Sequence, residues 1–166
     1  MAEVENLFLV EELLKIVNSK ISAKQDKTNI EKIKKYVIED RFSKEVNKQI
    51  LESTVAELKY QLSKVEIPKN DENNAKQKLA NLQKEIDFDK IKSEQEKKYN
   101  AIIAGNDYRQ VLSVFNRKEI VKSIGIYFEI QNNGYCDLII RHLQNENSQD
   151  IINAIIPYLP NEISRE

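Results

Sequence analysis

The spacing of apolar residues constrains this chain more than any other feature of its sequence. Apolar residues recur every three or four positions over long stretches, and no glycine interrupts the pattern before Gly105. They make up 40% of the chain and charged residues 32%, which suits thin helical layers with exposed faces better than a thick core. The sequence therefore predicts an all-α fold in which each helix buries only a stripe.

The middle of the chain, residues 26–104, predicts a long antiparallel helical hairpin, a coiled-coil-like arm. No glycine or proline occurs in it before Pro68, but the apolar stripe slips in phase at residues 39–43. We therefore expect two helices there, or one long helix with a bend. Pro68 and clustered Asn and Asp predict a turn near residues 66–74, beyond which helix resumes. The two stripes before the turn contain Ile30, Ile33, Val37 and Ile38, and then Val46, Ile50, Val55, Leu58, Leu62 and Val65.

Two segments flank this arm. Residues 1–25 predict an N-terminal helix that packs on the bundle, with Asn6 as its N-cap. Residues 105–166 are denser in apolar residues and predict a compact C-terminal helical bundle. The run 124–130 is rich in β-branched and aromatic residues and is a candidate strand, but its setting is helical. Further helix N-caps are expected at Asp107, Asn116 and Ser148.

Charge and cysteine content bear on location. The net charge is −1, so no bulk field favours nucleic acid or acidic lipid. The chain does not open with the basic region and apolar run of a secretion signal. No apolar run approaches the roughly 20 residues that span a bilayer. Cys136 is the single cysteine and has no internal disulfide partner, so we expect a cytoplasmic protein with no membrane segment.

The residue inventory excludes several kinds of cofactor site. The three glycines, at positions 105, 125 and 134, lack the spacing of a P-loop or a dinucleotide fingerprint. One histidine and one cysteine cannot close an ordinary zinc site within one chain. Cys136 and His142 fall about 120° apart around one predicted helix, so we expect a buried cysteine and a half-exposed histidine. We predict no cofactor and no catalytic activity for this chain by itself.

Paired carboxylates are a weaker signal for metal binding. The sequence Asp87-Phe88-Asp89 has a spacing that can hold magnesium at the end of a strand. Its surroundings are helical and polar, which favours a helix junction with Asp87 as N-cap. The pairs Glu11–Glu12 and Glu39–Asp40 are typical of solvated helix faces.

A group of lysines gives the chain one locally basic helix face. Such a face can follow the phosphates of a nucleic acid. Interspersed Asp26 and Glu31 dilute its charge, and no aromatic platform accompanies it, so a solubilising face is the plainer interpretation. The face comprises Lys20, Lys24, Lys27, Lys34 and Lys35.

The segment Ala2–Leu9 (AEVENLFL) carries a family resemblance in Glu5 and Asn6. It resembles the helical region that follows the Toprim-like core of bacterial proteins joining an ABC-type ATPase to a Toprim-like domain, the overcoming-lysogenization-defect-like proteins. Lys118 is similar to a lysine that recurs in their helical region, although the glycine that usually precedes it is Arg117 here. The resemblance implies metal-dependent nucleic-acid cleavage gated by ATP.

On this resemblance, Glu5 would be a metal ligand and Lys118 would stabilise developing charge, with Mg²⁺ or Mn²⁺ as the metal. The ATPase and the main metal-binding carboxylates would lie outside this chain. Without the resemblance, Glu5 is a carboxylate that is favourable near a helix N-terminus. Lys118 is then a solvated side chain in a first helical turn.

Three hypotheses about function follow. The first is a non-catalytic helical module, a fragment of a larger bacterial protein, that oligomerises or binds a protein partner through the hairpin. The alternative is the helical part of an ATPase-coupled Toprim-like nuclease, inactive in isolation. The second alternative is nucleic-acid binding through the lysine face.

Overall fold

A computed structural model describes residues 4–21, 26–115, 117–131, 134–144 and 148–159. Within these ranges all regular structure is helical and there is no β-strand, so the predicted all-α fold is confirmed. In chain order the α-helices are α1 (Glu11–Ile16), α2 (Asn29–Lys35), α3 (Ser43–Ser63), α4 (Glu72–Glu85), α5 (Phe88–Gly105), α6 (Tyr108–Val114), α7 (Glu119–Ile124), α8 (Gly134–Leu143) and α9 (Gln149–Ile155).

The described residues fall into two compact units. Residues 1–44 and 106–166 belong to the first unit, and residues 45–105 belong to the second. The division predicted from the sequence, into 1–25, 26–104 and 105–166, stays a prediction.

Asn6 is a buried tether rather than a helix cap. A 3-10 helix, Val4–Leu9, precedes α1, which begins after Val10 without a side-chain cap. Asn6 is 1% exposed, and its Nδ2 donates hydrogen bonds to the carbonyl oxygens of Leu112 at 2.9 Å and Phe115 at 2.8 Å. The predicted capping role is therefore wrong, because the amide side chain satisfies carbonyls at the end of α6 instead.

A π-helical segment accounts for the phase slip in the apolar pattern. It spans Tyr36–Phe42, between α2 and α3, and the backbone keeps helical dihedral angles at both Tyr36 and Ser43. A π turn bonds each residue to the fifth along, so it adds residues to the turn and shifts the pattern. Ser43 Oγ donates to the Ile38 carbonyl at 2.8 Å, which satisfies one oxygen in this segment.

The first unit has an apolar core rich in aromatic contacts. The rings of Phe42 and Phe115 meet edge to face at 5.1 Å, and those of Phe128 and Tyr135 stack at 5.6 Å. Such ring pairs contribute beyond the apolar area that they bury. Further fully buried members of this core are Leu9, Leu13, Leu14, Ile33, Ile120, Ile124, Ile139 and Ile151.

The candidate strand at 124–130 is a 3-10 turn, Gly125–Phe128. Glu129 has φ 57°, and the Ile130 amide donates to the Gly125 carbonyl at 3.0 Å, which closes the turn. A Cβ at Gly125 would lie 3.0 Å from the Ile130 carbonyl oxygen. A larger residue at this position would therefore require the Ile130 backbone to shift slightly.

The second unit holds most of α3 together with α4 and α5. Its buried apolar residues are few: Ile50, Ile91, Tyr99 and Ile102. None of the described side chains of α4 is buried. The segment between α3 and α4 is free of helix from Val65 to Asp71, where the turn was expected. Asp71 begins α4 by accepting a hydrogen bond from the Asn74 amide at 3.1 Å.

Candidate functional site

Helix α3 carries an apolar stripe, Leu51, Val55, Leu58 and Leu62, which we call the α3 stripe. Steps of four, three and four residues are the spacing of a and d positions in a heptad repeat. Leu51 is 50% exposed and Leu62 48%, while the two central members are partly buried. The stripe follows one side of the helix for about 17 Å.

The buried face of α3 lies elsewhere on the helix. Gln49, Ile50 and Thr54 are its buried residues, and at 100° per residue their mean direction lies about 120° from the α3 stripe. The sequence placed Ile50 in one stripe with residues 55, 58 and 62. That grouping is wrong, because Ile50 points inward and Leu51 takes its place in the heptad pattern.

Hydrogen bonds explain why α3 turns a largely polar face inward. Ser53 Oγ lies 2.7 Å from the hydroxyl oxygen of Tyr99 on α5. Thr54 Oγ1 donates to the Ile50 carbonyl at 2.8 Å. Since Tyr99 is 3% exposed, its hydroxyl needs a protein partner. The Thr54 bond is internal to α3, and the contact between Ser53 and Tyr99 is the one that sets a side of α3 against α5.

Other large apolar side chains of the second unit are also exposed. Tyr60 is 55% exposed and Leu79 of α4 51%. Lys64 Nζ lies 3.8 Å from the centre of the Tyr60 ring, a cation–π contact on the surface. Ile67 and Phe88 are exposed as well. Scattered exposed apolar side chains are ordinary on a protein surface, so the heptad spacing of the α3 stripe, and not exposure alone, points to an interface.

Glu5 and Lys118, the two residues carried over from the Toprim-like resemblance, lie together. Glu5 Oε1 is 3.6 Å from Lys118 Nζ, with the side chains 36% and 61% exposed. Burial, followed by the negative charges of Asp137 and Glu5, raises the pKa of the Cys136 thiol. A raised pKa keeps Cys136 protonated at neutral pH, so it is a poor nucleophile.

The described residues around Glu5 do not form a divalent metal site. Glu5 supplies one carboxylate, and it lies 3.6 Å from the ammonium group of Lys118. No group of three or more His, Cys, Asp or Glu side chains in the described ranges is placed to hold a metal ion. Because Mg²⁺ and Mn²⁺ require several oxygen ligands, a site here would need carboxylates beyond these residues.

Two further candidate sites are the carboxylates at Asp87 and Asp89 and the pair formed by Cys136 and His142. Asp87 Oδ1 accepts hydrogen bonds from the amides of Asp89 at 2.9 Å and Lys90 at 3.1 Å, so Asp87 is the N-cap of α5. Cys136 and His142 both lie on α8 and are both partly buried. Cys136 is therefore less buried than the sequence predicted.

Most described members of the lysine face are paired with carboxylates. Lys27 is exposed just before α2, and Lys24 lies outside the described residues. The pairs are Lys20 with Asp150 at 2.5 Å, Lys34 with Glu11 and with Glu31 at 3.2 Å each, and Lys35 with Glu39 at 3.7 Å. A phosphate would have to compete with these carboxylates for the lysines.

A cavity of about 210 Å³ lies beside Lys34 in the first unit. The guanidinium of Arg109 sits 4.8 Å from the ring centre of Tyr158 on its wall. Lys34 and Arg109 line it together with Glu11 and Asp107. Because both signs of charge are present, the cavity does not select a cation or an anion.

No protein-family model, curated protein or solved structure matches this chain. Across the described residues, no helix combines the length and the apolar character that crossing a membrane requires. The α3 stripe, with its heptad spacing and half-exposed ends, is the feature of the described residues that bears most directly on function.

Proposed function

We propose that this chain is a non-catalytic helical interaction or oligomerisation module, part of a larger bacterial protein of the cytoplasm. Its contact surface is the α3 stripe. The main support for the proposal is that the α3 stripe lies about 120° around the helix axis from the buried face of α3. A heptad seam that its own unit leaves half exposed has the spacing to receive another helix.

We further propose that α3 on one side, and α4 with α5 on the other, form an antiparallel hairpin arm. The helix-free segment between Val65 and Asp71 supports the reversal. The contact between the Ser53 and Tyr99 hydroxyl groups, at 2.7 Å, supports the pairing of α3 with α5. The remaining helices would form the compact bundle, and the arm would present the stripe.

Site-specific photo-cross-linking in the native host tests this function. A photoreactive phenylalanine analogue replaces Leu51 in one variant and Leu62 in another. We expect both to give a cross-linked protein adduct, because each side chain is half exposed within the proposed interface. The same analogue at Ser93, which is exposed on α5, is the matched control and should give none.

The absence of adducts at both stripe positions would exclude the α3 stripe as an interface. Adducts of equal yield at Ser93 would show non-specific collision. The mass of a specific adduct also reports the partner. When the 166-residue chain is the one expressed, an adduct of twice 19.4 kDa corresponds to a second copy, and any other mass to a different protein.

The helical part of a Toprim-like nuclease is the second candidate function. The observation that favours it is the distance of 3.6 Å between Glu5 and Lys118, since the residues that the resemblance selects lie together. In this candidate the chain is inactive alone, and carboxylates from the rest of the parent protein complete the metal site.

Nucleic-acid binding through the lysine face is the remaining alternative. The lysines of this face would contact phosphates, so affinity should fall steeply with salt. A titration with duplex and single-stranded DNA at low and moderate salt tests this alternative. Binding that is absent, or that does not weaken with salt, excludes it.

A further inference from the structure

We infer that the α3 stripe pairs with the α3 stripe of a second copy of this chain, in an antiparallel arrangement. The inference rests on the proposed function and names its partner. Two features support it. When one of two α3 helices is reversed, the apolar residues of one copy lie opposite apolar residues of the other, and acidic flanking residues lie beside basic ones.

The apolar positions of the α3 stripe are spaced symmetrically about the middle of the stripe. A twofold axis between Val55 and Leu58 places Leu51 of one copy opposite Leu62 of the other. The same axis places Val55 opposite Leu58. Each exposed leucine at an end of the stripe therefore meets another apolar side chain. Such an isologous contact closes after two copies and leaves no second surface for further growth.

The charges beside the stripe favour the same arrangement. Glu52 and Lys59 follow Leu51 and Leu58 directly, so both occupy e positions, and both are exposed. In an antiparallel pair the e positions of the two helices face each other. Glu52 of one copy then lies beside Lys59 of the other, and the symmetry repeats this contact.

A parallel pair in register is disfavoured by Lys48. This exposed residue lies three positions before Leu51, so it is the preceding a position of the heptad. A parallel pair would place Lys48 against Lys48 of the other copy, and like charges at such positions repel. In the antiparallel pair Lys48 lies opposite position 65 of the other copy, beyond the end of α3 at Ser63, and so avoids the repulsion.

Light scattering after size exclusion tests the second copy, with the whole chain at about 20 µM and about 500 µM. We expect the mass to rise with concentration towards twice 19.4 kDa. Replacing both Leu51 and Leu62 by Lys should abolish this rise. The matched control replaces Ala56 and Ser63 by Lys, since both are exposed on a third face of α3, and should dimerise as the wild type does.

Charge reversal tests the antiparallel arrangement. Glu52→Lys or Lys59→Glu alone should weaken the dimer roughly tenfold, because each breaks two exposed ion pairs and sets like charges together. The double variant Glu52→Lys/Lys59→Glu restores opposite charges and should return to within about threefold of the wild-type dissociation constant. Circular dichroism checks that each variant remains helical.

A thiol cross-link provides the geometric readout. In a Cys136→Ser background, a mixture of the Leu51→Cys and Leu62→Cys chains should cross-link to each other with a short bismaleimide. Each chain alone should cross-link poorly. Preferential cross-linking of like positions, or a double charge variant that stays as weak as the singles, overturns the antiparallel pair.

The two proposals fail in different ways. A chain that is monomeric at both concentrations, but that gives a stripe-specific photo-adduct of another mass, overturns the second copy and leaves the interaction module standing. A monomer that gives no stripe-specific adduct overturns both.

Discussion

The hydroxyl oxygens of Ser53 and Tyr99 lie 2.7 Å apart, although 46 residues separate them in the chain. Ser53 is partly buried on α3, and Tyr99 is 3% exposed on α5. The contact helps to hold the two helices at one rotation, together with buried apolar residues such as Ile50 on α3 and Ile102 on α5. That rotation is what leaves the α3 stripe outside.

Removing either hydroxyl should loosen the second unit. Tyr99→Phe and Ser53→Ala should each lower its stability by about 1 kcal/mol, the net contribution of a typical hydrogen bond. The double variant should lose little more than either single variant, because both changes remove the same contact. Hydrogen exchange of the α3 and α5 amides, compared with amides of α8, measures the effect. Fully additive losses would contradict a direct bond.

Asn6 should be among the most sensitive positions of the first unit. Asn6→Ala removes both donors and leaves the carbonyls of Leu112 and Phe115 unsatisfied, which should cost roughly 2 to 4 kcal/mol. Asn6→Asp should be worse at neutral pH, since a buried carboxylate would face two acceptor oxygens. Urea unfolding followed by far-ultraviolet circular dichroism measures both. The exposed Asn100→Ala is the control, and equal losses at the two positions would contradict the tether.

Glu11 should make the free energy of unfolding of the first unit fall as the solution becomes acidic. Its hydrogen bond to Lys15, opposed by burial and aided by Lys34, lowers the pKa of the Glu11 carboxyl. A lowered folded pKa stabilises the fold above the unfolded pKa, and this contribution disappears as the pH falls through the folded pKa.

Glu11→Gln should therefore lower the free energy of unfolding near pH 7, by less than about 1 kcal/mol because the pair is partly exposed. The difference from the wild type should shrink as the pH falls through the lowered pKa of the Glu11 carboxyl. Urea midpoints at a series of pH values measure this, with exposed Glu119→Gln as the control. A difference that persists unchanged at acid pH would point to lost packing instead of lost charge.

The Toprim-like alternative predicts a clear result in the intact parent protein. Glu5→Ala and Lys118→Ala should each abolish metal-dependent nucleic-acid cleavage while leaving folding almost unchanged, since an exposed ion pair contributes less than about 1 kcal/mol. Thermal unfolding of the isolated chain checks the second part. Exposed Lys122→Ala is the control, and full activity in both variants would exclude this function.

Local sequence signals predicted the helices and several of their ends correctly. Asp87 and Asp107 begin helices by accepting backbone amide hydrogen bonds, as their side chains favour. The phase slip at residues 39–43 marked a real irregularity, but apolar spacing could not tell a bend from a π turn. Asn6 shows the limit of such signals, because the carbonyls that it satisfies are 106 and 109 residues away.

The sequence by itself determined that the chain is helical, where charge and apolar residues alternate along it, and that no standard cofactor motif is present. Those properties depend on neighbours within a turn or two of helix. Only the tertiary structure decided that Glu5 meets Lys118 and that α3 faces inward with Ile50 and Thr54. An amphipathic pattern with apolar residues on two sides permits more than one rotation. Contacts from distant residues, among them the Tyr99 hydroxyl, select which side is buried.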